Sequence, residues 1–279
     1  MDPLIKIPLS TWPKLRELFS VNWPKGAAAY CLLDTQINSP NLIEKFNFKV
    51  YCPFGDLNNG FVGLTDKSGC RQVIIQPLND TSKIEEALLK TKIINWDRTT
   101  IVPFASPGVL QLLIKLSNRI NISINYDDGK AIKYLFTKNS LNFDLSIPED
   151  VYIAPLRSKD IDIVNKTWTY ENEHSVEFFE TLMENDMTYV LYNIEDDKPL
   201  AWITINEAGA LTHLFCLELF RRNGYAELVT KYACNDLLRK GRHIIAYTIE
   251  ENEKPQNLFE KLGFKNIGYD YWIVLKRIN

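Results

Sequence analysis

Residues 220–241 read "FRRNGYAELVTKYACNDLLRKG", cations gathered around one glycine and then an amphipathic run. The stretch just before it, "ALTHLFCL", has the pattern of a strand that stops at Leu217 or Glu218, and a helix is expected from about Tyr225 to Leu238. A helix therefore starts at the carboxyl end of a strand. Unpaired amide hydrogens and the positive end of the helix dipole point outward at such a place and suit a phosphate. Arg221 and Arg222 add positive charge, and Gly224 allows torsions and a close ligand approach that a Cβ would hinder. A pyrophosphate fits this turn. So does a bland alternative, in which Gly224 only makes a tight turn and the arginines are solvated.

Composition limits what the turn can belong to. The chain has 279 residues, 46% hydrophobic and 24% charged, which is globular and enough for one large domain or two modest ones. A net charge of -3 gives no basic field, so neither nucleic acid nor an anionic membrane is expected as a main partner. Five cysteines, Cys31, Cys52, Cys70, Cys216 and Cys234, are odd in number and widely spaced, which argues against a zinc site or a disulfide framework. No metal is implied. The start lacks a basic segment before an apolar core, and no apolar run approaches the roughly 20 residues of a spanning helix. An intracellular protein is expected, cytoplasmic rather than mitochondrial.

The chain order is mixed α and β throughout. In the first half "STWPKLRELFS" is a proline-entered helix, "FKVYCPFG", "GFVGLTD" and "RQVIIQPL" are strands, and "DTSKIEEALLKTK" is a helix capped by Asp80 or Thr81. A strand in "RTTIVPFAS" and a helix in "PGVLQLLIKLSNR" follow. Residues 137–150 are polar and turn-rich, the best linker. The second half runs strand, two helices, three strands, helix, strand, helix, strand, with a helix capped from Ser158 and a hairpin around "EDDK".

Arg221-x-x-Gly224-x-Ala226 after a strand, with "EENEKPQNLFEKLGF" after the next strand, resembles the acyl-CoA motifs of the GNAT superfamily of N-acetyltransferases. Within it, "VNKTW" (164–168), the "NEAG" turn and "CLELFRRNGYAELV" are most similar to the glycine N-acyltransferase-like group. The likeness covers 151–275 and is thin before Asp150. It implies an acyl-CoA N-acyltransferase fold over 150–279 and a degenerate acyltransferase-like domain over 1–143. It also implies acetyl-CoA or another acyl-CoA as co-substrate and a small amine, such as glycine, as acceptor. Leu217, Arg221, Arg222, Asn223, Gly224, Tyr225 and Ala226 would hold the CoA pyrophosphate and the start of its arm. Asn252, Leu258 and Phe259 would lie beside the pantetheine, although plain core packing fits Leu258 and Phe259 as well.

Acyl transfer to an amine needs a group or water relay to take a proton, and the leaving thiolate gains from a nearby acid. Here the chain departs from the family. The family's catalytic glutamate falls on Ala210, and the tyrosine acid common in the superfamily falls on Phe259. Three substitutes stand near the strand: His213 within it, Glu207 in the turn before it and Glu218 at its end. Alternation places Leu211, His213 and Phe215 on one face, where His213 is either a base or a packed core histidine. An isolated glutamate is ordinarily solvated. The missing groups also suit a second role, a catalytically lapsed module that binds acyl-CoA and regulates or holds a partner. An unrelated α/β protein whose loop binds another phosphate, or nothing, is the third possibility.

Overall fold

The structure, a computed structural model, describes residues 1–67, 70–127 and 129–278. It forms two compact units, each containing antiparallel and parallel strand pairs. The first comprises Met1–Lys133, Ile249–Glu251 and Ile267–Asn279, and the second Tyr134–Thr248 and Asn252–Asn266.

The first unit begins with β1 (Leu4–Lys6) and helices α1 (Trp12–Leu18), α2 (Ala27–Asn38) and α3 (Pro40–Lys45). A meander follows, β2 (Lys49–Pro53), β3 (Phe61–Lys67) and β4 (Cys70–Gln76), then α4 (Ser82–Lys90), β5 (Thr100–Ala105), α5 (Pro107–Ile120) and β6 (Ile122–Asn125). Strands β1 to β4 pair antiparallel, and β4 pairs parallel with β5. Helix α2 was not expected, because it is buried on nearly all sides, from Ala27 to Gln36, and so lacks an amphipathic stripe. Asp80 serves the start of α4 as anticipated, accepting from the Ser82 amide at 2.8 Å.

Strand β7 (Lys130–Phe136) supplies residues to both units. Residues 137–150 then contain no helix or strand, yet they are held down. The Phe143 amide donates to Asn235 Oδ1 at 2.7 Å, its carbonyl accepts from Asn235 Nδ2 at 2.8 Å, and its ring stacks on Phe136.

The second unit runs nearly in the order of the first, with two α-helices after its first strand where the first has three. It contains β8 (Val151–Ala154), α6 (Ile161–Lys166), α7 (Ser175–Glu184), β9 (Thr188–Asn193), β10 (Pro199–Ile205), β11 (Ala210–Cys216), α8 (Tyr225–Arg239), β12 (Ile244–Ile249) and α9 (Glu253–Lys261). The helix expected from Ser158 begins instead as a tight turn over Ser158–Asp160, without a side-chain cap, and α6 proper starts at Ile161. Strands β8 to β11 pair antiparallel, β11 pairs parallel with β12, and α8 is tied to β9 by the Tyr189 hydroxyl on Asp236 at 2.7 Å.

The last strand, β13 (Lys265–Arg277), counts with the first unit from Ile267 onward. It lies between β5, through Tyr271↔Ala105 to Leu275↔Thr100, and β6, through Val274↔Asn125 to Arg277↔Ile122. Ile273 and Leu275 are buried in the core that includes Ile84, Val102 and Leu113. Lys133 also places its ammonium 2.9 Å from both carboxylate oxygens of Asp270, and both side chains are buried.

Candidate functional site

Strand β11 is irregular at its middle. Opposite β10 the register passes from Thr204↔Thr212 to Trp202↔Phe215, so His213 and Leu214 together face the single residue Ile203. This is a β-bulge, and His213 sits in it with a left-handed φ of 49°. The extra residue interrupts the expected alternation and bends the strand. On its other side β11 pairs with β12 through Ala210↔Ile245 and Leu211↔Ala246, and among the described residues that ladder goes no further. The two parallel strands thus part at the bulge, and the backbone of 212–215 is left without ladder partners on the β12 side. An extended ligand can add itself to such an edge by main-chain hydrogen bonds.

The loop after β11 follows from local chemistry. The Leu217 amide is held by the Leu200 carbonyl at 2.9 Å, and a tight turn over Glu218–Phe220 separates the strand from the cationic residues, a step the sequence did not show. Arg222 has φ 68° and Gly224 φ 78°, which orient successive amides outward. Helix α8 then starts at Tyr225 with no side-chain cap. Among the described residues, the amides from Arg222 to Glu227 have no backbone acceptor, and the first such bond here is from Leu228 to the Gly224 carbonyl at 2.9 Å. A Cβ built on Gly224 would meet nothing within 4 Å, so this side of the loop is open.

The charges around the loop are organised. Arg221 donates to the Cys216 carbonyl at 3.2 Å, lies 3.1 Å from Glu218 and stands over the Phe215 ring. Glu227, in the first turn of α8, is held by Lys231 at 2.7 Å and Lys261 at 2.6 Å, and those two bonds keep its carboxyl below the usual range. A single carboxylate there is thus neutralised by two ammonium groups and does not repel an anion.

The expected site residues divide into two sets. Residues 217 and 221–226 form the continuous loop just described. Asn252 is exposed before α9, Leu258 is half-buried, and Phe259 is buried against Tyr134 and Phe264. The Tyr134 hydroxyl bonds Glu260 at 3.1 Å, and burial first, with that bond second, pushes its pKa up to about 12. Of the proton-transfer candidates, Glu218 is exposed and paired with Arg221. Glu207 is only 5% exposed, so the solvated carboxylate expected there is corrected: the turn Asn206–Gly209 folds it inward.

His213 lies in a cluster of rings. Its centroid is 5.4 Å from Phe179, 6.1 Å from Trp202, 6.3 Å from Trp168 and 6.4 Å from Phe215. Its Nε2 is 2.8 Å from the Val164 carbonyl, a pure acceptor, so Nε2 carries the hydrogen. Thr167 Oγ1 is 3.4 Å from the same nitrogen. Burial pushes the His213 pKa down to about 4, against the opposing effect of the Val164 bond. Among the described residues, the fully buried Trp202 indole nitrogen has no hydrogen-bond partner. Sequence reasoning missed Trp202 and the α6 partners of His213, since the bulge carries no glycine to mark it. Among the described residues no group of three or more His, Cys, Asp or Glu could hold a metal ion, and no helix is long and apolar enough to cross a membrane.

The comparisons agree with this geometry. The FR47-like protein family matches residues 190–273, which contain the bulge, the loop and both parting strands. Human glycine N-acyltransferase-like protein 2 is 19% identical over 206 residues, covering 68% of this chain and 69% of the relative. An X-ray structure of a Drosophila protein superposes with TM-score 0.85 at 18% identity, over 99% of both chains. A tandem GNAT protein from the clavulanic acid biosynthesis pathway, solved without AcCoA, superposes with TM-score 0.59 at 12% identity, over 98% of this chain and 97% of its own. These likenesses, with the family match over residues 190–273, show that the chain has the fold of the GNAT acetyltransferases.

Proposed function

We propose that the chain is an acyl-CoA-dependent N-acyltransferase that passes the acyl group to the amine of a small acceptor, an amino acid such as glycine among them. The observation that carries this is the parting of β11 and β12 directly beside a loop whose amides are unpaired. The pyrophosphate rests on residues 221–226, the pantetheine arm lies along the open edge of 212–217, and Asn252 and Leu258 flank it. The acyl carbon then falls near the bulge. Residues 150–279 supply this site, and residues 1–143 form the degenerate partner domain.

A second role, an acyl-CoA-binding module without turnover, is favoured by two particular positions. Ala210 is 1% exposed within the ladder and Phe259 is 3% exposed, so neither offers a proton-transfer group where the family has one. The test is to mix the protein with acetyl-CoA and a panel of primary amines, glycine included, and follow free thiol and amide. Stoichiometric release of both supports transfer. Tight acetyl-CoA binding with no release above the uncatalysed rate overturns it in favour of the module.

A further inference from the structure

Three groups remain that could take the proton shed by the attacking amine, and their surroundings are unequal. Glu218 is 82% exposed and bound to Arg221, on the loop assigned to the pyrophosphate. Glu207 is buried in the turn before β11, three residues before the strand begins. His213 stands at the bulge itself, where β11 leaves β12.

Resting on the acyl-transfer assignment above, we propose that His213 is the proton acceptor of the reaction and that its Nδ1 is the working atom, with the Val164 carbonyl and Thr167 as the groups that position the ring. The Val164 carbonyl fixes the tautomer with hydrogen on Nε2, so the lone pair is on Nδ1. Among the described residues Nδ1 has no partner, and the ring is only part-buried. The left-handed φ of 49° at a non-glycine residue is a costly conformation that the surroundings must enforce, and such strain collects at functional sites. The aromatic cluster keeps the ring neutral and ready to accept. Among the described residues the cluster also holds a buried donor without a partner, the Trp202 indole N–H.

The step balances without any further reactant. The amine nitrogen attacks the thioester carbonyl carbon, the N–C bond forms, and the proton on nitrogen passes to Nδ1. The C–S bond then breaks with its electron pair going to sulfur, and the imidazolium returns its proton to the thiolate directly or through solvent. The products are the amide and the CoA thiol, and the ring is neutral again. Throughout, the Nε2–H bond to Val164 is kept, and it strengthens while the ring is charged.

The test compares His213→Ala and His213→Gln with the parent in acetyl-CoA titrations and in steady-state acyl transfer, with and without added imidazole. The expected result is a kcat lowered by ~100-fold in both variants, acetyl-CoA affinity within about twofold, and activity of His213→Ala restored in proportion to imidazole. Glutamine keeps a donor toward Val164, so it guards against a variant that fails merely to fold. A kcat within threefold of the parent in His213→Gln overturns the assignment, as does a loss that follows acetyl-CoA affinity and ignores imidazole. If the parent binds acetyl-CoA but acylates no amine, it is the transfer reaction itself that fails, a result distinct from either.

Discussion

At the scale of single residues, Gly224 and His213 show two ways in which a backbone conformation is specified. Gly224 was legible because a glycine between a strand and a helix has one common use, a left-handed cap, and the observed φ of 78° is that. His213 was legible as a candidate but not as a bulge, since an extra residue leaves no mark in an alternating apolar strand. Its burial has a consequence for stability. The folded pKa is about 4 against an ordinary 6.5, so between these values the unfolded chain takes up a proton that the folded chain refuses. This contribution is fully present above pH 6.5 and is lost as pH falls toward 4. Denaturant unfolding at pH 7.5 and pH 5 should show the parent losing about 2 kcal/mol more than His213→Gln. Equal losses would mean that the ring is solvated in the folded protein.

At the scale of elements, the strands and helices with strong periodicity were readable, and those defined by distant partners were not. Strand β10 follows from a continuous apolar run between turn residues, and helix α5 from its apolar period after Ser106 and Pro107. Helix α2 lacks a polar face, and the use of β13 by the first unit depends on pairing with β5 and β6, which no local pattern reports. The Lys133–Asp270 pair joins residues 137 positions apart. Because both groups are buried, removing one leaves an uncompensated charge. Asp270→Ala is therefore expected to cost ~3 kcal/mol or more in denaturant unfolding, while Lys133→Met combined with Asp270→Leu recovers most of it. A single variant as stable as the parent would show that water reaches the pair.

For the whole molecule, the two units have similar orders of elements but differ at their parallel strand pairs. In the second, β11 and β12 part beside open amides. In the first, the Gln76 side chain donates to the Phe104 carbonyl at 3.1 Å across the ends of β4 and β5, and the Asp80 carboxylate already caps the first turn of α4. Ser82 holds that carboxyl below its usual range, so it stays charged and repels a phosphate. One acyl-CoA per chain is expected by calorimetry, and two equivalent sites would contradict the difference between the units. The strand-to-helix turn at 221–226 could be read from Arg221, Gly224 and Ala226, whereas the Gln76–Phe104 contact in the first unit could not, because those residues meet only in the folded sheet.

The most direct measurement is a calorimetric titration of acetyl-CoA into the parent, Gly224→Glu and Gly224→Asn. Asparagine tolerates the left-handed torsion and adds no charge, while glutamate places a carboxylate among the unpaired amides. The account predicts one site in the parent, retained in Gly224→Asn and lost in Gly224→Glu. Binding of equal affinity in all three would contradict it and remove the loop at 221–226 from the site.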